Sequence, residues 1–465
     1  MRKKIVFWMV FGLLTAASLF INLNILYAEF VLLAGYELAR LRRFDVVTLW
    51  RLAIWSMILP DNYVCTILFA VCSVVTLFKY KERNMLSKTY KFAVYAYFVL
   101  IVISMAVNKV GPENIIMSGL YFSSIVVSAL LINHSGFYSL FDDIKDTIDG
   151  FFNLELFATA VKIIMFLTGR VHGSDWSTGT FGHTQQTQIF LLAVLGVMWE
   201  IRSRQRAGKS IFSVKLFAFI IAAITTNCWS LFISVFAITI IVILLNTKAR
   251  YSIAIAFSIV VVCTLVLKSG FLPENITNQM NKIVKDENYR EYRFYKFKVY
   301  GQTYTELPKK DLRFAIIGNG MGNYASRAAL TCTGVYIKSY KNLFDVSMSE
   351  YTKEYIFPRL KLASEKGSSD YGSILSRPNS TFLAIMGETG YLGVALFVII
   401  LGCVYARTDR FGRIALFMWL TTCFYENFME YVRVIFALLV VLAICNKRYD
   451  DLLKRGSDEN ENIVC

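Results

Sequence analysis

The sequence predicts an all-α protein, a polytopic membrane helix bundle of about 12–14 transmembrane helices that carries one large outer loop. Three observations predict it. Hydrophobic residues make up 56% of 465 and the mean hydropathy is +0.50, more apolar material than a soluble core of this length can hide. Apolar runs of bilayer length, or nearly so, recur from end to end. One mostly polar stretch of about a hundred residues, Pro273 to Asn379, interrupts them.

The first run begins MRKKIVFWMV and has small residues at Ala16, Ala17 and Ser18, which imitates a secretory signal. Because many further spans follow, it reads as an uncleaved first helix. The runs lie at about 5–21, 25–39, 46–60, 63–78, 91–108, 113–133, 151–168, 186–201, 211–226, 228–246, 251–271, 380–404, 411–425 and 427–445. Those at 25–39 and 46–60 are short enough to be tilted or re-entrant. The chain divides into N-terminal spans (1–168), a small outer loop (169–185), central spans (186–271), the large outer loop (272–379), C-terminal spans (380–446) and a tail (447–465).

Lys and Arg cluster in alternate connections: RKK at 2–4, the run ending at Arg43, 79–83, 202–209, 247–250, 407–413 and 446–455. The positive-inside rule makes that side cytoplasmic, with both termini, and leaves 169–185 and 272–379 outside. The formal charge of +16 is then an orientation signal, and nucleic-acid binding is not expected. The acidic stretch 134–150 reads as a cytoplasmic loop.

Most of the nine cysteines lie in or beside apolar runs, where a thiol is a small hydrophobe. Cys332 stands alone in the large loop, without a disulfide partner there. Three histidines, no paired Cys motif and no phosphate-binding loop argue against a zinc site and against nucleotide hydrolysis, so no metal and no cofactor are expected.

The large loop holds 17 Lys/Arg against 11 Asp/Glu, so it is basic on the side that orientation rules leave poor in cations. Arg290 and Arg293, three apart, share a helix face amid Tyr289, Tyr292, Phe294, Tyr295 and Phe297. Two guanidiniums beside an aromatic wall can clamp a diphosphate and stack on sugar. An interfacial helix touching lipid phosphate would use the same residues. Arg313 precedes Gly318, Gly320 and Gly322, which alternate with Asn319, Met321 and Asn323, a run able to turn tightly and present backbone N–H groups.

The loop closes with Arg377, Pro378, Asn379 and Ser380. Asn379 or Ser380 is a natural N-cap, which aims a helix N-terminus outward. Glu388 lies about two turns inside that helix, bracketed by Gly387, Gly390 and Gly393; a carboxylate at that depth is costly unless paired. The smaller loop places Arg170, His172, Asp175, Trp176, Thr180, His183, Gln185 and Gln186 close together, with Trp176 suited to stacking on a sugar.

These segments, GTFGHTQQTQ at 179–188, IIGNGMGNY at 316–324 and PNSTFLAIMGETGYLGVALF at 378–397, resemble those of the bacterial O-antigen polymerase and ligase superfamily in order and setting. The likeness covers about residues 165–400. Asn379, Leu383, Glu388, Gly390 and Gly393 stand in register with the closing motif. Two departures matter: Pro378, preceded by Arg377, stands where that superfamily often has a His, and the first loop reads His183-Thr184-Gln185 in place of Pro-Asn. Absence of the His favours the O-antigen and capsular polysaccharide polymerases over the ligases.

The resemblance implies a GT-C-like fold in the bacterial inner membrane and a glycosyltransferase that joins undecaprenyl-diphosphate-linked oligosaccharide repeat units at the periplasmic face without a metal. Its partners would be that lipid-linked oligosaccharide, membrane lipids, a chain-length regulator and a flippase. In that reading Arg290, Arg293 and Arg377 neutralise the leaving diphosphate, and His183, Asp175 and Glu388, in that order, are candidates for a base. Arg170, Asp175, Trp176, Arg313, Gly320, Asn323 and Asn379 line the substrate. A ligase of the same superfamily and a lipid-linked oligosaccharide transporter are the competing readings. Internal repeats and charged midplane helices, the marks of a transporter, are not evident.

Overall fold

A computed structural model describes residues 2–40, 45–60, 62–80, 87–132, 134–171, 177–181, 186–226, 228–245, 281–282, 284–333, 348–366 and 376–446. The expected span at 251–271 and the tail at 447–465 lie outside them. Every named element among the described residues is a helix, and an antiparallel bridge joins Thr408 to Asn446.

Among the described residues, ten helices precede the segment that begins at 281: α1 (Arg2–Phe20), α2 (Ile25–Arg40), α3 (Val46–Ser56), α4 (Asn62–Lys79), α5 (Lys88–Val107), α6 (Pro112–Leu131), α7 (Ser135–Leu167), α8 (Gln186–Arg206), α9 (Val214–Thr225) and α10 (Trp229–Leu245). Their starts follow local chemistry. Asp45, Ser87 and Ser213 accept hydrogen bonds from the N–H of Thr48, Tyr90 and Leu216, and Pro112 occupies a first-turn position where no N–H is needed.

Among the described residues, four helical stretches are long and apolar enough to cross a membrane: Lys88–Val107, Pro112–Leu131, Leu140–Leu167 and Thr381–Arg407. Large apolar side chains such as Phe92, Phe98, Leu167 and Val398 point outward from them, as a lipid-facing surface requires. The core between the helices is aromatic, with Trp50 edge-on to Phe69 and Phe152 edge-on to Phe219.

One expectation is corrected. The acidic stretch 134–150 is no loop but the first half of the 33-residue α7. Its apolar residues Phe137, Phe141, Ile144 and Ile148 recur at helical spacing and are all buried, while Asp142, Lys145 and Asp146 ride the other face. Net acidity hid an amphipathic helix.

The polar segment is built, in its described residues, of short helices: α11 (Glu287–Arg293), α12 (Tyr295–Gly301), a π-helical turn at Gln302–Glu306, α13 (Leu307–Lys310), α14 (Leu312–Ile317), α15 (Arg327–Cys332), a second π-helical turn at Thr352–Ile356 and α16 (Phe357–Lys366). Polar overall, it still has a core. Val299, Leu307, Phe314, Tyr324, Ile356 and Leu360 pack together with Leu383 and Met386 of the following helix. The segment is thereby seated on the bundle.

Three helices complete the described residues: α17 (Thr381–Arg407), α18 (Arg410–Cys423) and α19 (Val432–Ile444), with a 3-10 turn at Phe428–Glu430 in the last connection. Ser380 caps α17 by accepting from Phe382 N–H at 3.2 Å. The helix is interrupted at Gly390, whose φ of 66° and ψ of −168° leave the helical region. Arg433, fully buried in α19, reaches back to the carbonyl of Leu59 and lies 3.9 Å over the Phe181 ring, which ties the last helix to the early ones.

Candidate functional site

The glycine run and the closing helix, read separately in the sequence, form one unit. Gly318, Gly320 and Gly322 all have positive φ (70°, 90° and 78°), a region open to glycine at little cost. The turn they make enters the bundle and meets the break in α17. Asn319 N–H donates to Gly387 O at 2.8 Å and Gly320 N–H to Glu388 O at 3.1 Å. A methyl on Gly318 would lie 2.3 Å from the main-chain carbon of Glu388, and one on Gly390 would lie 2.5 Å from that of Ile316. Glycine on both sides is what lets the two backbones touch.

Glu388 completes the joint. Its carboxylate is fully buried and accepts from the N–H groups of Gly322 (2.8 Å), Tyr324 (3.2 Å) and Ser326 (2.9 Å). Three charge-assisted bonds account for the depth at which this acid sits. The neighbouring helices brace the turn from outside: Ser104 Oγ donates to Ile317 O, Asn108 Nδ2 to Gly318 O and Asn114 Nδ2 to Gly322 O, at 2.6, 3.1 and 2.5 Å. Asn323 is turned inward, its amide donating to Asn319 O at 3.2 Å.

A second cluster surrounds the start of α17. Lys296, on α12 and fully buried, donates from Nζ to Asn379 O at 2.6 Å and to Tyr425 O at 2.5 Å. Burial pushes its pKa down to about 7, with Glu426 pulling it up and Arg377 pressing it lower. Glu426 accepts from Asn379 Nδ2 at 3.0 Å, and its main-chain oxygen accepts from Thr381 N–H at 3.3 Å. Arg377 is partly buried beside this group, and its guanidinium forms no hydrogen bond or ion pair with the described residues.

An aromatic wall adjoins these cations. Tyr300 stacks on Phe424 at 4.8 Å and on Tyr304 at 5.9 Å between ring centroids, and its hydroxyl meets Ser380 Oγ at 2.5 Å. Arg359 lies 4.2 Å over the Tyr295 ring.

The remaining expected residues are dispersed. Arg290 and Arg293 do end one short helix, but Arg290 is exposed and paired with Glu287 at 3.1 Å, while Arg293 is partly buried. Arg313 is exposed beside Asp311 at 3.5 Å. Arg170 lies over the Phe20 ring at 5.3 Å. His172, Asp175, Trp176 and His183 fall outside the described residues. Of the small loop, Thr180 is buried, with its hydroxyl 2.5 Å and its N–H 3.2 Å from the Glu155 carboxylate. Burial pushes the Cys332 thiol up to about 11, which keeps it protonated.

Sequence reasoning missed Lys296, Glu426 and Glu430. Glu426 and Glu430 are the only acids in the apolar stretch from Phe411 to Cys445, and that isolation was the available signal. Lys296 gave none, being one lysine among many in a basic loop. Neither the family models nor the curated proteins compared with the chain give a match.

Proposed function

We propose that the protein is a glycosyltransferase that polymerises undecaprenyl-diphosphate-linked oligosaccharide repeat units at the periplasmic face of the inner membrane. The observation that supports it most is the cluster at the start of α17, where Arg377 and Lys296 bring two cations beside stacked tyrosines. A diphosphate leaving group asks for such cations, and sugars ask for such faces.

In the reaction proposed, a hydroxyl oxygen of the incoming unit bonds to the anomeric carbon of the donor chain. The bond from that carbon to the carrier diphosphate breaks, and the diphosphate leaves with the electron pair. The hydroxyl proton passes to a base or to water. Arg377 neutralises the charge that grows on the departing oxygen, a stabilisation larger in the transition state than before it. Lys296 adds to it while protonated. Glu388, whose oxygens are engaged by backbone N–H groups, positions the glycine turn and takes no proton in this scheme. His183 and Asp175 stay the candidates for a base.

The test is polymerisation of purified lipid-linked repeat units by the protein in nanodiscs, followed by gel laddering. Wild-type protein is expected to give a ladder, and Arg377→Ala to lose it by at least about a hundredfold in rate, the scale of losing one preorganised charge-stabilising group. An unchanged ladder from Arg377→Ala removes this residue from the site. Product on a terminal acceptor such as lipid A core, with chains never extended on the carrier, would point to the ligase reading.

A further inference from the structure

The short helix α14 gives only one face to the bundle. Phe314 and Ala315 are buried, whereas Leu312 and Ile316, four apart and so on one side of the helix, are 73% and 43% exposed. This apolar face does not stand alone. A methyl on Gly390 would lie 2.5 Å from the main-chain carbon of Ile316, so α14 lies against the break in α17, and the next two residues of α17, Tyr391 and Leu392, are exposed as well. Exposed apolar side chains then continue along α17 through Val398 and Ile399. That helix is one of the four long and apolar enough to cross a membrane among the described residues, so the face of α14 prolongs a surface that lipid covers.

Two spans measure the height at which α14 stands. From Gly390 to Ala406 α17 carries no charged residue, and Arg407 follows 17 positions beyond Gly390, about 26 Å at 1.5 Å per residue. The neighbouring α5 gives the same answer. Its Ser104 and Asn108 donate to the carbonyls of Ile317 and Gly318, and Asn108 lies 20 positions from Lys88 at the start of that helix, about 30 Å. A hydrocarbon core is about 30 Å thick. With Lys88 and Arg407 at one face of it, the end of α14 falls at the other.

The residues around the apolar pair suit that boundary. Lys309, Lys310 and Arg313 are exposed on either side of Leu312, and Arg313 also touches Asp311 at 3.5 Å. At this level a long cationic side chain can lay its stem on apolar chains and hold its head at lipid phosphate.

We infer that α14 is a membrane foot, with Leu312 and Ile316 entering the acyl chains of the phospholipid leaflet beside α17 and Lys309 and Arg313 standing at its phosphates. The polar segment is then not held clear of the bilayer. Its glycine turn is fixed at the hydrocarbon boundary by lipid on one side and by Glu388 on the other. No sugar and no transfer step enters, so this inference and the proposed polymerase activity can fail separately.

The experiment places an environment-sensitive NBD label on Leu312→Cys and on Ile316→Cys of the full-length protein in phospholipid nanodiscs, with labelled wild type as the background from native thiols. Both side chains are exposed, so neither substitution disturbs packing. Phosphatidylcholine carrying a nitroxide near the top of its acyl chain should quench both labels as strongly as a label on Val398→Cys, while iodide in the water should leave them bright. Adding Lys309→Glu and Arg313→Glu should reduce the nitroxide quenching in nanodiscs of phosphatidylglycerol, since acids at that level are repelled by its phosphates. Labels quenched by iodide and not by the nitroxide would overturn the foot, because the face would then be in water. Labels reached by neither quencher would overturn it too, because protein would cover the face. Nitroxide quenching unchanged by the two added acids would overturn the assignment of the cations to the phosphates.

Discussion

Lys296 illustrates how one residue can be both a seam and a sensor. Its ammonium joins the outer segment to two main-chain oxygens of the bundle, with its charge disfavoured by burial. Because its pKa in the fold is about 7 and about 10.4 in the unfolded chain, between those values the unfolded chain binds the extra proton. Stability contributed through this group therefore rises with pH from about 7 to about 10 and has no slope below. Thermal unfolding of the purified protein should show a midpoint that climbs between pH 7 and 9 relative to Lys296→Met, whose curve lacks this contribution. Parallel curves for the two proteins would show that the amine is not neutral in the fold. The cation offered to an anionic ligand runs the other way: it is present below about pH 7 and lost above.

At the level of elements, the joint between the glycine turn and α17 is the most exacting contact described. Gly318→Ala and Gly390→Ala each force a methyl into opposing backbone and a side chain into positive φ, the latter alone costing about 1–2 kcal/mol. Both should lower the unfolding midpoint by several degrees or prevent accumulation of folded protein. Gly402→Ala, on the same helix with nothing within 4 Å of the added methyl, should be neutral or slightly stabilising. Equal midpoints for all three would show that the turn does not dock on the helix. This joint was half legible beforehand. The spacing of Gly318, Gly320 and Gly322 announced a turn, and Glu388 announced a buried partner, but nothing in a linear pattern says that the partner of the acid is the backbone of the turn. The helices were legible because apolar runs are long; α7 was misjudged where charge obscured a four-residue rhythm.

Across the whole molecule, the connection from Phe424 to Tyr431 touches nearly everything described at the site. Tyr425 O receives Lys296, Glu426 receives Asn379, Asn427 Nδ2 donates to Ala325 O at 3.1 Å, and Glu430 receives the first N–H groups of α15. In the sequence the runs at 411–425 and 427–445 covered all of it but Glu426, since a polar break this short carries no information about what folds onto it. Its position near the end of the chain bears on biogenesis. Arg327 and Glu430 are 103 residues apart, and at about 5–20 residues per second the ribosome needs roughly 5–20 s to deliver the second after the first. In the proposed topology the segment waits outside the membrane for that interval with its clasp still unmade, a window in which proteases and chaperones can reach it. A chain stopped at Cys423 should stay in that state: trypsin added to the outer side should cut between residues 281 and 333 far faster than in the full-length protein, and co-expressing residues 408–465 as a separate piece should restore resistance. A truncated chain as resistant as the intact one would mean that the segment closes without its clasp. Otherwise the nascent protein withholds its finished outer surface until its last helices have arrived, so that an incomplete chain never displays a working one.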